Sequence, residues 1–399
     1  MDELHVKSLK EIYFSGFKNL SECRLIMDQT TVIVGSNNSG KSNFLEIFKF
    51  LSDLHFGGQD GKDRVKRYFN GLNQIEVRLV GHVKKAESIF EVTYRLIISV
   101  TVENKSNRGN LVITSESFDY KQKSSPGKPK QFFNRTDKSF FLRAPSDKLR
   151  KYDISAEDPA YVVIKSAVDP TIGPESLNCV ALYLDFLEYF RTPTFSAHKL
   201  NGAYDKEIDD ALKFIFPLQE GNAQSFNKFK RAYIEILGLS DIRIHDAAKH
   251  LKDTEEQFLF CIVTEQHQRR HTLISNLSDG SKILFLMLYN IFISNPPLVC
   301  IEEPEIGLHP SALNKILRIF LTGETGSQAI ITTHSAYLLN LLDPKNIFLM
   351  ESAETGLSTL IPALTIKNLE ARLKGKYVNF GDLFAGNFKS QKDDYTLSE

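Results

Sequence analysis

Apolar and polar residues alternate along two stretches in the N-terminal part of the chain. Every second residue from Phe90 to Val100 is apolar, and the same period of two runs from Ile75 to Leu79. That period is typical of β-strands with one buried face. Shorter apolar runs predict further strands over 9–14, 22–27 and 31–34. Because the gaps around the alternating stretches are too short for helical crossovers, we expect antiparallel pairing there.

Apolar residues at helical spacing begin further along the chain. The predicted helices lie over 182–190, 206–216, 226–237 and 283–293, and additional strands are predicted over 242–245, 258–264, 298–301 and 329–331. No heptad pattern is sustained over several turns, so no long coiled coil is expected. The glycine-rich, basic segment 56–67 is predicted to be a connection that follows the first helix.

Residues 121–151 differ from the rest of the chain in charge. Ten Lys or Arg stand against two Asp there, a local charge of +8, with four phenylalanines between positions 132 and 141. Pro126 and Pro129 interrupt regular structure. Such a charge run is typical of a solvated loop. It is also compatible with a nucleic-acid surface, on which the phenylalanines stack against bases, or with a docking site for an acidic partner.

The composition is that of an ordinary globular protein. The chain has 399 residues, of which 42% are apolar and 25% charged, and its formal net charge is zero. A zero net charge excludes a chain-wide field that attracts nucleic acid, so any such binding needs a local patch. The four cysteines are dispersed without metal-type spacing, and no signal pattern or apolar run of membrane-spanning length is present. We therefore expect a cytoplasmic protein that does not contact a membrane.

A glycine-rich segment between a predicted strand and a predicted helix carries the strongest chemical signal. It reads Gly35-Ser36-Asn37-Asn38-Ser39-Gly40-Lys41-Ser42, which is the pattern of a P-loop that wraps nucleotide phosphates. The glycines let backbone N–H groups turn toward an anion, and the helix N-terminus adds positive potential. We expect Lys41 to reach the outer phosphates and the Ser42 hydroxyl to ligate Mg²⁺. The segment predicts binding of a nucleoside triphosphate.

Three further motifs follow in order. They are Leu277-Ser278-Asp279-Gly280-Ser281 before an apolar helix, Glu302-Glu303-Pro304-Glu305 after one strand and Thr332-Thr333-His334-Ser335 after another. A carboxylate at the end of a strand near a P-loop can hold Mg²⁺, and its neighbour can deprotonate the attacking water. A histidine at a neighbouring strand end can polarise the terminal phosphate. Taken alone, Ser278 and Gly280 are also compatible with an ordinary helix cap.

Together these motifs resemble those of the ABC-like ATPases of the SMC and RecF group. Within that group they are most similar to the branch that includes the OLD (overcoming-lysogenization-defect) ATPases and the ATPases of bacterial anti-phage systems such as Septu. The segment Ile12–Leu20 is similar to the first strand pair of that branch, and Gly381-Asp382-Leu383 with Gly386 to a late motif. The resemblance implies an α/β fold: a mixed core sheet around the P-loop helix, a flanking antiparallel sheet and an inserted, mainly helical lobe.

The resemblance also implies a site shared by two copies of the chain. In this group two protomers dock head to tail. Each ATP lies between the P-loop of one protomer and the signature motif of the other, which in this chain is Leu277–Ser281. Glu303 is then the general base, His334 contacts the γ-phosphate, and Ser42 with Glu302 holds Mg²⁺. The residues implied to bind the nucleotide are Gly35, Asn37, Asn38, Ser39, Gly40, Lys41, Ser42 and Asn43, with Ser278 and Gly280 closing the partner's site. Lys41 is implied to act in catalysis as well.

The expected domain organisation has three segments. Residues 1–120 form the N-terminal half of an ATPase head, 121–254 an inserted basic segment with a helical lobe, and 255–399 the C-terminal half of the head. Glu302 stands where most relatives outside the branch carry aspartate, so its metal contact is expected to be longer or water-mediated. A loop glutamine that usually reaches the metal is not identified; Gln74 and Gln131 are the candidates.

Three functions remain open from the sequence. The first is a regulatory ATPase of an anti-phage defence system that controls a separate nuclease or toxin. Only 65 residues follow His334, which is too few for the nuclease domain of OLD proteins, so we expect any cutting to be done by another polypeptide. The second is a DNA-repair or DNA-end-binding ATPase of RecF/SMC type, and the third is a non-hydrolysing scaffold that holds ATP. The resemblance implies a homodimer or a higher homo-oligomer.

Overall fold

A computed structural model describes residues 8–69, 74–102, 109–137, 139–143, 149–167, 174–191, 194–196, 203–250, 258–266, 270–366 and 381. These residues divide into two compact units. The first unit takes in those within Met1–Thr192 and Pro344–Leu369. The second takes in those within Pro193–Asp343 together with Gly381.

Strands dominate the first unit. Its strands, numbered along the chain, are β1 (Ser8–Phe17), β2 (Leu20–Ile26), β3 (Thr30–Gly35), β4 (Gln74–Lys85), β5 (Ser88–Val102), β6 (Gly109–Gln122), β7 (Lys130–Thr136), β8 (Phe140–Arg143), β9 (Leu149–Tyr152), β16 (Ile347–Ser352) and β17 (Ser358–Pro362). The strands of the second unit are β10 (Thr194–Ser196), β11 (Leu239–Asp246), β12 (Leu259–Glu265), β13 (His271–Leu273), β14 (Leu298–Glu302) and β15 (Gln328–Thr333).

Both units contain helices. The first contains α1 (Lys41–Phe56), α2 (Gly58–Lys66), α3 (Ala160–Ala167) and α4 (Pro174–Leu187). The second contains α5 (Tyr204–Glu220), α6 (Gln224–Leu237), α7 (Asp279–Leu288), α8 (Pro310–Leu321) and α9 (Ala336–Leu339). A π-helix over Tyr289–Ser294 continues α7. Within the described ranges, every helix is too short or too polar to cross a membrane.

The strands of the first unit pair in the order β3-β16-β17-β2-β1-β4-β5-β6-β7-β8-β9. β16 runs parallel to β3 and β17 parallel to β2, whereas the pairs from β2 through β9 are antiparallel. The alternating stretches 75–79 and 90–100 lie in β4 and β5, and their apolar side chains Val77, Tyr94 and Leu96 are fully buried. The predicted α/β fold with a mixed sheet and antiparallel strands is confirmed.

Helix α1 joins this sheet through an aromatic core. Phe44 packs against Phe14 of β1, with ring centroids 5.0 Å apart, and Phe50 packs against Phe17 at 5.5 Å. These rings are fully buried. Because aromatic burial is worth several kcal/mol per ring, about 3–5 kcal/mol for a Phe→Ala change, this core holds the first helical turn in place. The start of α1 is therefore a fixed point of the first unit.

The segment 56–67, predicted as a connection, is largely helical. It forms α2, and the Arg64 guanidinium lies 2.7 Å from the Asp53 carboxylate of α1. Gly61 lies so close to α1 that an added Cβ would stand 2.2 Å from the Asp53 carbonyl oxygen. The glycine here permits close helix packing instead of breaking the helix.

The basic segment 121–151 is also more ordered than its prolines predict. It contains β7, β8 and β9, which extend the sheet. Phe132, Phe133 and Phe140 are buried to 1% or less exposure and contact one another or Phe118. They are core residues and are therefore not available to stack on nucleic-acid bases, as one of the alternatives for this segment requires. Phe141 alone among the four is partly exposed.

A buried polar cluster lies where α1 meets β5, β6 and β7. The Tyr94 hydroxyl donates to Glu116 Oε1 over 3.1 Å and lies 3.0 Å from His55 Nε2. Glu116 Oε2 accepts from the Ala160 N–H at 2.7 Å and faces Arg135 Nη1 at 3.8 Å. Burial, aided by the neighbouring Glu116 carboxylate, raises the pKa of Tyr94 well above its usual value. The end of the P-loop helix is thus joined to the neighbouring strands by polar contacts as well as by packing.

The second unit contains three parallel strands, β10, β14 and β15. It also contains a separate antiparallel sheet of β11, β12 and β13. Helices α6 and α7 pack through aromatic rings: Phe285 meets Phe229 at 5.1 Å and Tyr233 at 5.6 Å, edge-on in both cases. The helices predicted over 206–216 and 226–237 are confirmed as α5 and α6. The three-segment division of the chain stays a prediction.

Candidate functional site

The glycine-rich loop joins the C-terminal end of β3 to the N-terminus of α1, as its strand–loop–helix context predicts. Asn38 and Gly40 have positive φ, 62° and 100°, and the left-handed conformation turns the backbone sharply. A Cβ on Gly35 would stand 2.5 Å from the Met350 carbonyl oxygen, and one on Gly40 2.8 Å from Leu20 Cδ2. Both glycines are therefore required sterically, and the loop is held tightly against β16 and the β1–β2 turn.

Lys41 reaches back across this loop. Its ammonium donates to the carbonyl oxygens of Gly35 at 3.1 Å and Ser36 at 2.9 Å, and the residue is only 5% exposed. Among the described residues, no side chain caps the N-terminus of α1, and its first turn carries no acidic residue. The buried Ser39 hydroxyl has no hydrogen-bond partner in the described part of the chain. An uncapped helix N-terminus beside a confined cation fits a phosphate chain.

The other predicted residues of the loop differ in their surroundings. Asn37 and Ser42 are exposed, so the Ser42 hydroxyl is accessible to a metal ion. Asn43 is engaged elsewhere, because its amide donates to Asn19 Oδ1 at 2.7 Å and accepts from Lys18 Nζ at 3.1 Å. The Asn43 side chain thus anchors α1 to the β1–β2 turn, and its predicted role in nucleotide binding stays a prediction.

The paired glutamates lie at the end of β14 in the second unit. Glu302 is the last residue of the strand and is 7% exposed, and Glu303 follows with φ of 47°. The Glu303 N–H donates to the Thr332 carbonyl at 2.9 Å. Glu303 Oε1 lies 3.0 Å from His334 Nε2. Among the described residues His334 Nε2 makes no hydrogen bond, so this is a close approach of imidazole and carboxylate.

A third carboxylate in this loop has no role assigned from the sequence. Glu305 Oε1 accepts from the Thr333 hydroxyl at 2.8 Å and from the His334 backbone N–H at 2.7 Å. Its position in the Glu302-Glu303-Pro304-Glu305 motif is the only sequence signal that could have identified it. Its partners lie on the next strand, 28 and 29 residues away, and no local pattern predicts such a contact.

The signature segment begins α7. Ser278 is exposed and is the N-cap residue, and its hydroxyl accepts from the Ser281 N–H at 3.4 Å. A Cβ on Gly280 would stand 2.3 Å from the carbonyl oxygen of Gly307. Both the cap and the close glycine contact are features of a single protomer, so they explain these residues without a partner. The trans-acting role of Ser278 and Gly280 stays a prediction.

The second unit thus brings Glu303 and His334 together and places Gly280 against the loop that follows Glu303. No group of three or more His, Cys, Asp or Glu that could hold a metal ion occurs in the described ranges. Gln131 uses its backbone carbonyl to accept from Arg143 Nε at 2.6 Å, and Gln74 is exposed at the start of β4. The Gly381 N–H donates to Asn340 Oδ1 at 2.6 Å. Asp382, Leu383 and Gly386 lie outside the described residues.

Comparison with known proteins gives a family and a fold. Residues 30–340 match the family described as "AAA domain, putative AbiEii toxin, Type IV TA system". The chain is 20% identical over 354 residues to the Old nuclease of Escherichia phage P2, an alignment that covers 83% of this chain and 57% of that protein. The chain therefore spans little more than half the length of this curated relative.

Two solved structures of SMC heads are similar to the chain. The SMC head bound to the C-terminal winged-helix domain of ScpA matches with a TM-score of 0.51 and 14% identity, over 88% of this chain and 97% of that one. The SMC head domain of Thermotoga maritima matches with a TM-score of 0.44 and 15% identity, over 89% and 98%. The first match shows that the fold is that of an SMC-type P-loop head.

Proposed function

This chain belongs to the AAA-domain family, and we propose that it is a Mg²⁺-dependent ATP hydrolase. One observation carries the proposal: the loop from Gly35 to Ser42 presents an uncapped helix N-terminus and the confined Lys41 ammonium together. Both features stabilise negative charge, and the tight turn at Gly40 leaves no side chain in the way. This combination is suited to a triphosphate.

The proposed chemistry assigns each group a step. A bound Mg²⁺ would neutralise negative charge that develops on the phosphates during transfer. Ser42 and Glu302 offer the hydroxyl and carboxylate oxygens that such a hard cation prefers. Glu303 accepts a proton from the attacking water, and His334, 3.0 Å from it, donates to the γ-phosphate oxygens. Lys41 moves from the loop carbonyls to the outer phosphates.

Purified protein tests this directly. We expect Mg²⁺-dependent phosphate release, and we expect Glu303→Gln to bind ATP as the wild type does while kcat falls about 100-fold or more. The exposed Glu207 of α5 provides the control, because Glu207→Gln makes the same chemical change away from the predicted site. Normal turnover by the Glu303→Gln protein refutes its role as the base.

We also propose that ATP is held by two protomers docked head to tail. The exposed Ser278 at the N-terminus of α7 supports this, since the positive end of a helix favours an anion brought by a second molecule. Light scattering of the Glu303→Gln protein tests it: ATP with Mg²⁺ should double the mass, and Ser278→Arg should prevent the change. A monomer under saturating ATP overturns the proposal.

The biological role we propose is regulation of a separate nuclease or toxin in anti-phage defence, by an ATPase of the Septu kind. The family description includes the AbiEii toxin and the relative is a phage nuclease, which supports a setting of conflict between phage and host. A neighbouring effector gene and co-purification of its product are expected. Hydrolysis stimulated by duplex DNA, with no effector present, favours the DNA-repair alternative. Tight ATP binding without any turnover favours the scaffold.

A further inference from the structure

The Glu305 carboxylate is hydrogen-bonded to the end of β15 and to the backbone of His334. Its Oε1 atom accepts both the Thr333 hydroxyl proton, at 2.8 Å, and the His334 N–H, at 2.7 Å. The Thr333 hydroxyl in turn accepts from the Ser335 N–H at 2.9 Å. One oxygen therefore organises three consecutive residues at the end of β15.

The loop that carries Glu305 is itself constrained. The Ile306 N–H donates to the Glu303 carbonyl at 3.0 Å, which closes a β-turn with Pro304 at its second position, where proline fixes φ in the required range. The Glu303 N–H is bonded to the Thr332 carbonyl at 2.9 Å. Glu303, through its N–H, and Glu305, through its side chain, therefore both hydrogen-bond to the same end of β15.

We infer that Glu305 is a positioning residue for His334. The inference rests on the proposed function, in which His334 must approach the γ-phosphate while it stays beside Glu303. Glu305 sets the backbone of 333–335, and this backbone determines where the imidazole stands relative to Glu303 Oε1, at 3.0 Å. Catalytic groups displaced by about 1 Å lose on the order of 100-fold in rate, so loss of this carboxylate affects turnover.

Side-chain chemistry separates this role from a merely structural one. A glutamine at 305 keeps an oxygen that can accept both hydrogen bonds, whereas alanine removes it. We therefore expect Glu305→Gln to retain kcat within about 3-fold and Glu305→Ala to lose about 10- to 100-fold, with KM for ATP nearly unchanged in both. Thr333→Val removes one of the two bonds and should fall between them.

A second readout does not depend on turnover. This readout is the NMR spectrum of protein whose histidines carry ¹³C at Cε1. The His334 signal is assigned by its loss in His334→Asn. We expect Glu305→Ala to shift this signal and Glu305→Gln to leave it in place, while the remaining histidine signals show that both variants are folded.

The outcomes distinguish the two proposals. An unshifted His334 signal in Glu305→Ala, or equal kcat in the alanine and glutamine variants, overturns the positioning role. A wild-type protein that does not hydrolyse ATP overturns the proposed function, and the imidazole signal still decides whether Glu305 places His334.

Discussion

The Nε2 atom of His334 lies 3.0 Å from Oε1 of Glu303. The two residues follow adjacent parallel strands, β14 and β15, in which Glu302 stands opposite Thr332. Strand pairing thus brings a carboxylate and an imidazole, 31 residues apart in sequence, to one edge of the sheet. Such a pair can exchange a proton when a water lies against them.

Replacing Lys41 by alanine should abolish ATP binding. The ammonium is the buried cation of the loop, and it is held by the Gly35 and Ser36 carbonyls. We expect the affinity for a fluorescent ATP analogue to fall at least about 100-fold, in line with loss of a charge-assisted contact. Lys49→Ala, an exposed lysine on the same helix, should bind normally. Equal affinity in both variants contradicts the role of Lys41.

Gly280→Ala should reduce turnover more than it reduces ATP binding. Its new methyl group would stand 2.3 Å from the Gly307 carbonyl oxygen, so the start of α7 and the loop after Glu303 must move apart. We expect kcat to fall about 10-fold or more and the melting temperature to drop. Gly221→Ala is a suitable control, because its Cβ would stand 3.3 Å from the nearest atom. Wild-type kcat in Gly280→Ala shows that the contact is unimportant.

The buried cluster around Glu116 should dominate the stability of the first unit. Glu116 and Arg135 are fully buried, and breaking a buried pair typically costs about 3–5 kcal/mol because one charge is left behind. We expect a loss of this size in the free energy of unfolding for Glu116→Ala, measured by urea denaturation. The exposed Lys213–Asp210 pair on α5 provides the contrast, and Lys213→Ala should leave the urea midpoint unchanged.

Buried tyrosines should weaken the fold at alkaline pH. Burial raises the pKa of Tyr68 to about 12 and that of Tyr94, Tyr183 and Tyr233 well above the usual value. The unfolded chain ionises these phenols near pH 10, whereas the folded chain keeps them neutral. Their contribution to stability is therefore complete below about pH 10 and is lost as the pH rises further. Phenolate absorbance of native protein at about pH 11 should fall short of that of urea-unfolded protein; equal absorbance, with native circular dichroism retained, contradicts the prediction.

Local sequence patterns were sufficient to predict part of the fold and part of the candidate site. The P-loop, the alternating strands β4 and β5 and the helices α5 and α6 are visible in the sequence because each depends on residues close to one another along the chain. The strands β7 to β9 were not predicted, because the prolines between β6 and β7 and the many charged residues conceal their apolar pattern. Arg135 belongs to that basic run by composition, yet it is fully buried. Strand pairing sets Glu116 opposite Arg135. Its other partners are the carbonyls of Ser155, Ala156 and Asp158, about 20 residues along the chain.

The role of Glu305 shows the same limit at the candidate site. Glu303 and His334 were predicted because their motifs resemble those of known ATPases. Glu305 stands two residues from Glu303, and its importance depends on the register of β14 with β15. No local periodicity encodes that register.

Where Gly280 meets Gly307, two backbones touch with no side chain between them. A side chain at such a junction could change rotamer and absorb a small displacement of either partner. Peptide groups have no rotamers to change. A displacement of the first turn of α7 therefore displaces the loop that begins at Glu303 by a similar amount. A molecule that binds at Ser278 and displaces this end of α7 should therefore also change the position of the Glu303 carboxylate.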